Sequence, residues 1–415
     1  MYEYQSKQDP PRPVDFPYQV GRSFSIRRHR APPPFGQRYR ISPGLRKHTH
    51  FGRDPALSKL SNLERCLRHP PQERPPDEDE DGEEDDGKDG NEPDYDKVYT
   101  LQITEEIVAR VGHGAQILRC RVDGEGDNKD NYVAKIYDGA YFNEDDGWFG
   151  DVSFDADHEY SVEVAAYEHL NGEGADGRYT PCYYGSYTFE LPVPKDESGH
   201  ADRPPTRPVR LIIIEYIAGT SMFALLKRGV VDTIPVPRRL ELMADAMESR
   251  CQLDFLGLAH NDFEPRNVLV LDAALREDDE AGQCVVIVDL GRSYIVDSYW
   301  LSPKYVRPRQ PKPISPMYVF WGSPLNSFAA WIPHVYHRRW PAFNGWLKHR
   351  WGSTADDEDK YYVPRGAVHR ETRRYDDETE YIPPESIPLV EDPIPGKIVR
   401  SLDPDYEKKV RESWN

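Results

Sequence analysis

The stretch "PPDEDEDGEEDDGKDGNEPDYD", residues 75–96, holds 13 Asp and Glu among its 22 residues, with Lys88 its one basic residue. Like charges at that density repel, and there is almost no apolar side chain to offset the cost of ordering the backbone. The run therefore resists folding, and it sets where a core can begin. Upstream, residues 1–55 are rich in Pro and Arg ("RRHRAPPPFGQRYR") and carry little hydrophobic periodicity, so a disordered basic arm is expected there. Between arm and acidic run, "PALSKLSNLERCLRH" (Pro55–His69) predicts one short amphipathic helix. Residues 1–97 are thus read as a disordered region, basic then acidic. Its charged tails offer a surface to a protein partner, and "RRHR" is a short nuclear-localisation candidate.

The rest of the chain's 415 residues has room for one large domain or two. Only 38% of residues are hydrophobic and 38 are prolines, so part of the chain stays outside any core. A formal charge of −19 argues against nucleic acid as the main partner. The five cysteines form no C-x-x-C pair and share no spacing with a His cluster. Neither a zinc site nor a disulfide framework is expected, and a reducing compartment fits. "MYEYQSKQDPPRPVDFPYQV" lacks a signal-peptide core, and no apolar run reaches about eighteen residues. The expectation is a cytoplasmic or nuclear protein that does not engage a membrane.

Order is expected from near Tyr99. "VYTLQITEEIVARVGHGAQILRCRV" reads as strand, turn, strand, and "YVAKIYD", "YYGSYTFEL" and "VRLIIIEYI" as further strands. "HEYSVEVAAYEHLNG" has helical spacing and ends in Gly172, a C-cap signal; the acidic insert before it, Glu144 to Asp157, reads as solvated surface. Strands give way to helix in "PRRLELMADAMESRCQLDFLGLAH", with Leu240, Met243, Ala244, Met247 and Cys251 on one face. Six of eight tryptophans fall between Trp300 and Trp351, which predicts a packed region there.

Five features carry chemistry. "AHNDFEPRNVLVLD" sets His260, Asp262 and Asn267 just before an apolar strand, and "VVIVDLG" ends a second such strand at Asp289. A carboxylate at the end of a buried strand needs a metal or a cation. Lys135 lies inside the strand "YVAKIYD" and needs an anion, which Glu163 on the following helix can supply. Gly112 and Gly114 in "VGHGAQ" suit a turn whose backbone can approach phosphates, although an ordinary hairpin reads the same way.

In this order the five features resemble the protein-kinase-like phosphotransferases, most closely the kinase-domain-containing proteins of filamentous fungi. "HNDFEPRNVLV" stands in the place of H-R-D-L-x-x-x-N, "VDLG" of D-F-G and "VAKI" of V-A-I-K. The resemblance implies an α+β, two-lobed protein-kinase-like fold. A strand-rich N-lobe would span 98–217, a helical, atypical C-lobe with the catalytic loop 218–355, and a C-terminal extension 356–415. It implies ATP and Mg²⁺ as cofactors. Lys135 would hold the phosphates, oriented by Glu163; Asp289 and Asn267 would bind the metal; Asp262 would take the proton of the attacking hydroxyl. Gly112 and Gly114 would cover the phosphates, and backbone groups at Ile214, Glu215 and Tyr216 would meet adenine. His260 would brace the loop. The implied activity is phosphoryl transfer to a protein Ser/Thr hydroxyl. The departures are Ile117 for the third glycine, Asn261 for the Arg of H-R-D, Glu264 for a basic residue two places after Asp262, and no A-P-E motif. They keep open a small-molecule phosphotransferase of the aminoglycoside or choline type, and a pseudokinase scaffold.

Overall fold

The computed structural model describes residues 11–41, 59–74, 94–123, 132–143, 150–193, 206–275, 282–355, 357–363 and 379–388. Most of the acidic run, part of the insert before the first long helix, and most of the C-terminal extension lie outside the described residues. Contacts divide the described chain into two units, one drawn from 11–216 and 289–307, the other from 217–288 and 308–388.

Period-two alternation builds the first unit. In β2 (Val98–Val108), Tyr99, Leu101 and Ile103 are buried while Val98, Thr100 and Gln102 are exposed. β3 (Gln116–Asp123) pairs with β2 and with β4 (Tyr132–Tyr137), which pairs with β6 (Thr206–Glu215), which pairs with β5 (Tyr183–Pro192), all antiparallel. The ring is closed by β1 (Ser23–Arg28), which pairs with β2 through Ser23–Gln102 to Arg27–Val98 and with β5 through Arg27–Thr188 and Arg28–Tyr187. The result is a closed six-stranded barrel in the order β1-β2-β3-β4-β6-β5. Phe16, Tyr18 and Ile26, each 0% exposed, join its core. Residues expected to be a coreless arm therefore complete the sheet, because β2 and β5 would otherwise present unpaired edges. "RRHR" is part of this closure, with Arg28 over the Tyr187 ring at 5.2 Å.

Outside the barrel, α1 (Asn62–Arg68) starts in a capping box formed by Ser61 and Glu64. α2 (Val152–Gly172) begins earlier than its apolar spacing suggested, because Asp151 accepts a hydrogen bond from the Ser153 amide as N-cap. Asp151, Asp155 and Asp157, read as solvated surface, are buried at 2%, 3% and 5% exposure. The C-cap is Glu173, and the left-handed residue is Gly174 at φ +67°, not Gly172.

The second unit holds α3 (Val236–Phe255), α4 (Trp340–Ala355) and a three-stranded sheet of Gly219–Ser221, Val268–Leu271 and Val285–Ile287. Leu240, Met243, Ala244, Met247 and Cys251 are all buried on α3, and Trp331, Trp346 and Trp351 share their core. The expected two-lobed kinase-like fold is corrected by these findings. The N-terminal sheet is a closed antiparallel barrel, and among the described residues three helices exceed ten residues, so helix content is modest. No helix among the described residues is long and apolar enough to cross a membrane.

Candidate functional site

Lys135 reaches its site through the pleat of β4. Tyr132, Ala134 and Ile136 join the barrel core, so the alternate positions Val133, Lys135 and Tyr137 face outward, where α2 packs. There Lys135 Nζ lies 2.5 Å from Glu163 Oε2 and 2.6 Å from Asp289 Oδ1. The side chain of Glu163 is 1% exposed, that of Lys135 8% and that of Asp289 43%. Tyr137 Oη donates to Glu163 Oε2 at 2.7 Å, and the Leu290 amide donates to Glu163 Oε1 at 3.2 Å. Glu163 thus links the strand, the helix and the backbone that follows Asp289. Asp289 itself sits at φ +67°, a left-handed conformation rarely taken outside Gly, Asn and Asp.

The charges bear on one another. Burial alone would depress the Lys135 ammonium, but Asp289 and Glu163 outweigh it and hold Lys135 well above the ordinary lysine value. Burial raises Glu163 against the pull of Lys135. One helical turn before Glu163, Glu159 lies on the same face of α2. Burial, reinforced by Asp289 and Glu163 and opposed by Lys135, pushes its carboxyl up to about 8.

The glycine turn belongs to the same unit. Gly112 has φ +76°, which a residue with a Cβ rarely adopts, and its amide donates to the Tyr141 carbonyl at 2.9 Å. A Cβ placed on Gly114 would stand 3.4 Å from Glu159 Oε2. Buried Gln116 ties the turn shut: its Oε1 accepts from the Arg110 amide at 2.7 Å, and its Nε2 donates to the Arg110 and Gly114 carbonyls at 2.9 and 3.2 Å. Gln116, Tyr137 and Glu159 escaped the sequence reading. Glu159 alone left a trace there, as a second acid one turn from Glu163.

At the end of β6, the Glu215 amide donates to the Cys182 carbonyl at 2.9 Å and Glu215 Oε2 accepts from the Cys182 amide at 3.1 Å. Ile214 is paired within the barrel, and the Tyr216 ring lies 3.9 Å from the Arg119 guanidinium. The Glu215 amide therefore serves the barrel.

The second unit holds the other candidates. Asn267, 4% exposed, donates from Nδ2 to the Asp262 carbonyl at 2.9 Å and to Asp262 Oδ2 at 3.0 Å. Arg266 Nη2 reaches both Asp262 oxygens, at 2.6 and 2.8 Å. Fully buried His260 accepts at Nδ1 from the Asp262 amide at 3.2 Å, and its Nε2 faces the Val288 carbonyl at 3.0 Å. Together these contacts require the Nε2–H tautomer. Asn261, before Asp262, sits at φ +60°. Burial raises the Glu264 carboxyl, against Arg266 and a hydrogen bond from Ser327. The sequence-derived residues thus form two groups. Lys135, Glu163 and Asp289 meet in the first unit; Asp262 and Asn267 meet in the second.

Among the described residues no group of three or more His, Cys, Asp or Glu side chains is arranged to hold a metal ion. The donor chemistry still suits Mg²⁺, which keeps several waters and takes one or two protein oxygens. The Asp289 side chain is 43% exposed, and Asn267 donates its amide nitrogen to Asp262.

No protein-family model matches the chain. A serine/threonine-protein kinase PknG from Mycobacterium leprae is 27% identical over 111 residues, covering 27% of this chain and 12% of the relative. The enzyme of the same name from Mycolicibacterium smegmatis is 29% identical over 92 residues, covering 22% and 10%. The likeness to a Ser/Thr protein kinase is distant and partial. The chain spans about a tenth of the length of these relatives.

Proposed function

We propose that the chain is an ATP- and Mg²⁺-dependent phosphotransferase that acts on a protein Ser/Thr hydroxyl. Within that reading, its motifs most resemble those of the kinase-domain-containing proteins of filamentous fungi. The observation that carries the proposal is Lys135 held between Glu163 and Asp289, a buried cation whose carboxylate on one side is partly open to solvent. An ammonium fixed in this way offers charge to phosphate oxygens without reorganising. Asp289 and Asn267 would be the metal's protein ligands, and bound Mg²⁺ would neutralise charge across the phosphate oxygens. Asp262 would take the proton of the acceptor hydroxyl as its oxygen forms the new bond to the γ-phosphorus, and ADP would leave with the electron pair of the broken P–O bond. Arg266, already at Asp262, would bring positive charge to that position. The named activity of the mycobacterial relatives supports the protein-acceptor reading. Glu264 favours a second reading, a cationic small-molecule acceptor, because it places a carboxyl two residues after Asp262.

Thermal shift with ATP, with and without Mg²⁺, tests the phosphate site. Wild type should gain about 2–3 kcal/mol at ATP near a hundred times Kd, only with the metal, and Asp289→Asn should lose that gain. Equal curves for wild type under all conditions would overturn the proposal.

A further inference from the structure

Residues 26–40 and 59–74 grip the two places from which the carboxylates of the Lys135 cluster are set. On α2, three nearby residues are held from outside the helix. The Gln72 amide and side chain both donate to Asp157 Oδ2, at 3.1 and 2.7 Å. His158 Nδ1 meets the Phe35 carbonyl at 2.5 Å, with the two rings edge to face at 5.6 Å. Tyr160 Oη meets His29 Nδ1 at 2.8 Å, and His29 is fixed in turn by Ser186, which exchanges hydrogen bonds with its backbone. Glu163 follows Tyr160 by three residues.

The second grip falls on the chain after Asp289. The Ile295 amide donates to Tyr39 Oη at 2.9 Å, and the Arg40 and Ser302 amides donate to the Trp300 and Arg38 carbonyls, each at 2.8 Å. The Arg38 guanidinium stacks over the Tyr294 ring at 4.2 Å. Tyr39 is 4% exposed, so this contact is built into the unit and is not a surface accident. Both grips lie in the unit that contains Lys135, Glu163 and Asp289.

We propose that residues 26–40 and 59–74 act as a constitutive brace, positioning α2 and the segment after Asp289 so that Glu163 and Asp289 meet Lys135 without any modification of that segment. His29, Tyr39 and Gln72 are its positioning residues; none touches the cluster itself. The functional side of the proposal rests on the phosphotransferase reading.

The test uses the full chain with Gln72→Ala, His29→Ala, His29→Asn and Tyr39→Phe, by hydrogen exchange and by Mg²⁺·ATP binding. Gln72→Ala and His29→Ala should speed exchange in 158–168 about tenfold, and Tyr39→Phe should do so in 290–300, while β2 and β3 keep wild-type rates. Mg²⁺·ATP affinity should fall about tenfold in the same three variants. His29→Asn, which keeps a polar atom near the Nδ1 position, should stay close to wild type in both. Unchanged exchange at 158–168 and 290–300 overturns the brace whatever the nucleotide result. Equal acceleration in β2 and β3 also overturns it, since the loss would then be general stability. A wild type that binds no Mg²⁺·ATP, with exchange altered as expected, overturns the phosphotransferase reading and the brace's functional role while leaving the contacts as structural.

Discussion

Removing the Lys135 ammonium would leave Glu163, almost fully buried, near Asp289 without its cation. Breaking a buried pair from one side is costlier than replacing the whole pair, because the surviving charge stays desolvated. Lys135→Met should therefore lose about 3 kcal/mol in urea unfolding at neutral pH, and Lys135→Met with Glu163→Gln should recover more than half of it. Glu159 poses the opposite problem. Burial pushes its carboxyl in the folded chain from the ordinary glutamate value of 4.5 up to about 8. Between those values the unfolded chain has released the proton and the folded chain still holds it, so rising pH favours unfolding. Glu159→Gln removes that pH dependence. Its stability relative to wild type should grow steadily from pH 4.5 to pH 8 and level off beyond each end; a flat difference across the window would contradict the assignment. Neither effect could be read from composition, since each depends on which charges the fold brings together.

At the scale of elements, the six residues of β1 matter more than their sequence suggests. "SFSIRR" offers only Phe24 and Ile26 as alternating apolar side chains, in a stretch dominated by Pro and Arg. Its meaning comes from partners on both sides, β2 and β5, whose edges it covers. Ile26→Ala should cost about 3 kcal/mol by chemical denaturation, whereas the exposed Arg27→Ala should stay within about 0.5 kcal/mol. α2 shows the same limit differently. Its apolar spacing was plain from His158 onward, yet its first turn is written in Asp151, Ser153 and Asp155, which read as an acidic loop until the cap and the surrounding side chains are in place. By contrast, Lys135 and Asp289 stood out because a charged residue within or at the end of a run such as "YVAKIY" or "VVIVD" contradicts its surroundings.

For the whole molecule, local patterns were enough to find most strands and two of the three long helices, and to single out Lys135, Glu163 and Asp289, which the fold brings together. Glu163 was legible because it is an acid on the helix that follows a strand lysine in need of an anion. Gln116 and Tyr137 were not, since their importance lies in the Arg110 carbonyl and the Glu163 carboxylate, which no neighbouring residue announces. Closure of the sheet was equally hidden. Pairing Arg28 with Tyr187 joins positions 187 − 28 = 159 residues apart, across an acidic run that looked like a boundary. That separation also has a consequence for synthesis. β1 leaves the ribosome long before its second neighbour exists, and at ordinary elongation speeds the wait is roughly 8–30 s. Throughout it, Phe16, Tyr18 and Ile26 travel on a nascent chain with no finished barrel to enter, so the proline- and arginine-rich composition around them keeps a hydrophobic strand soluble until its last partner is made.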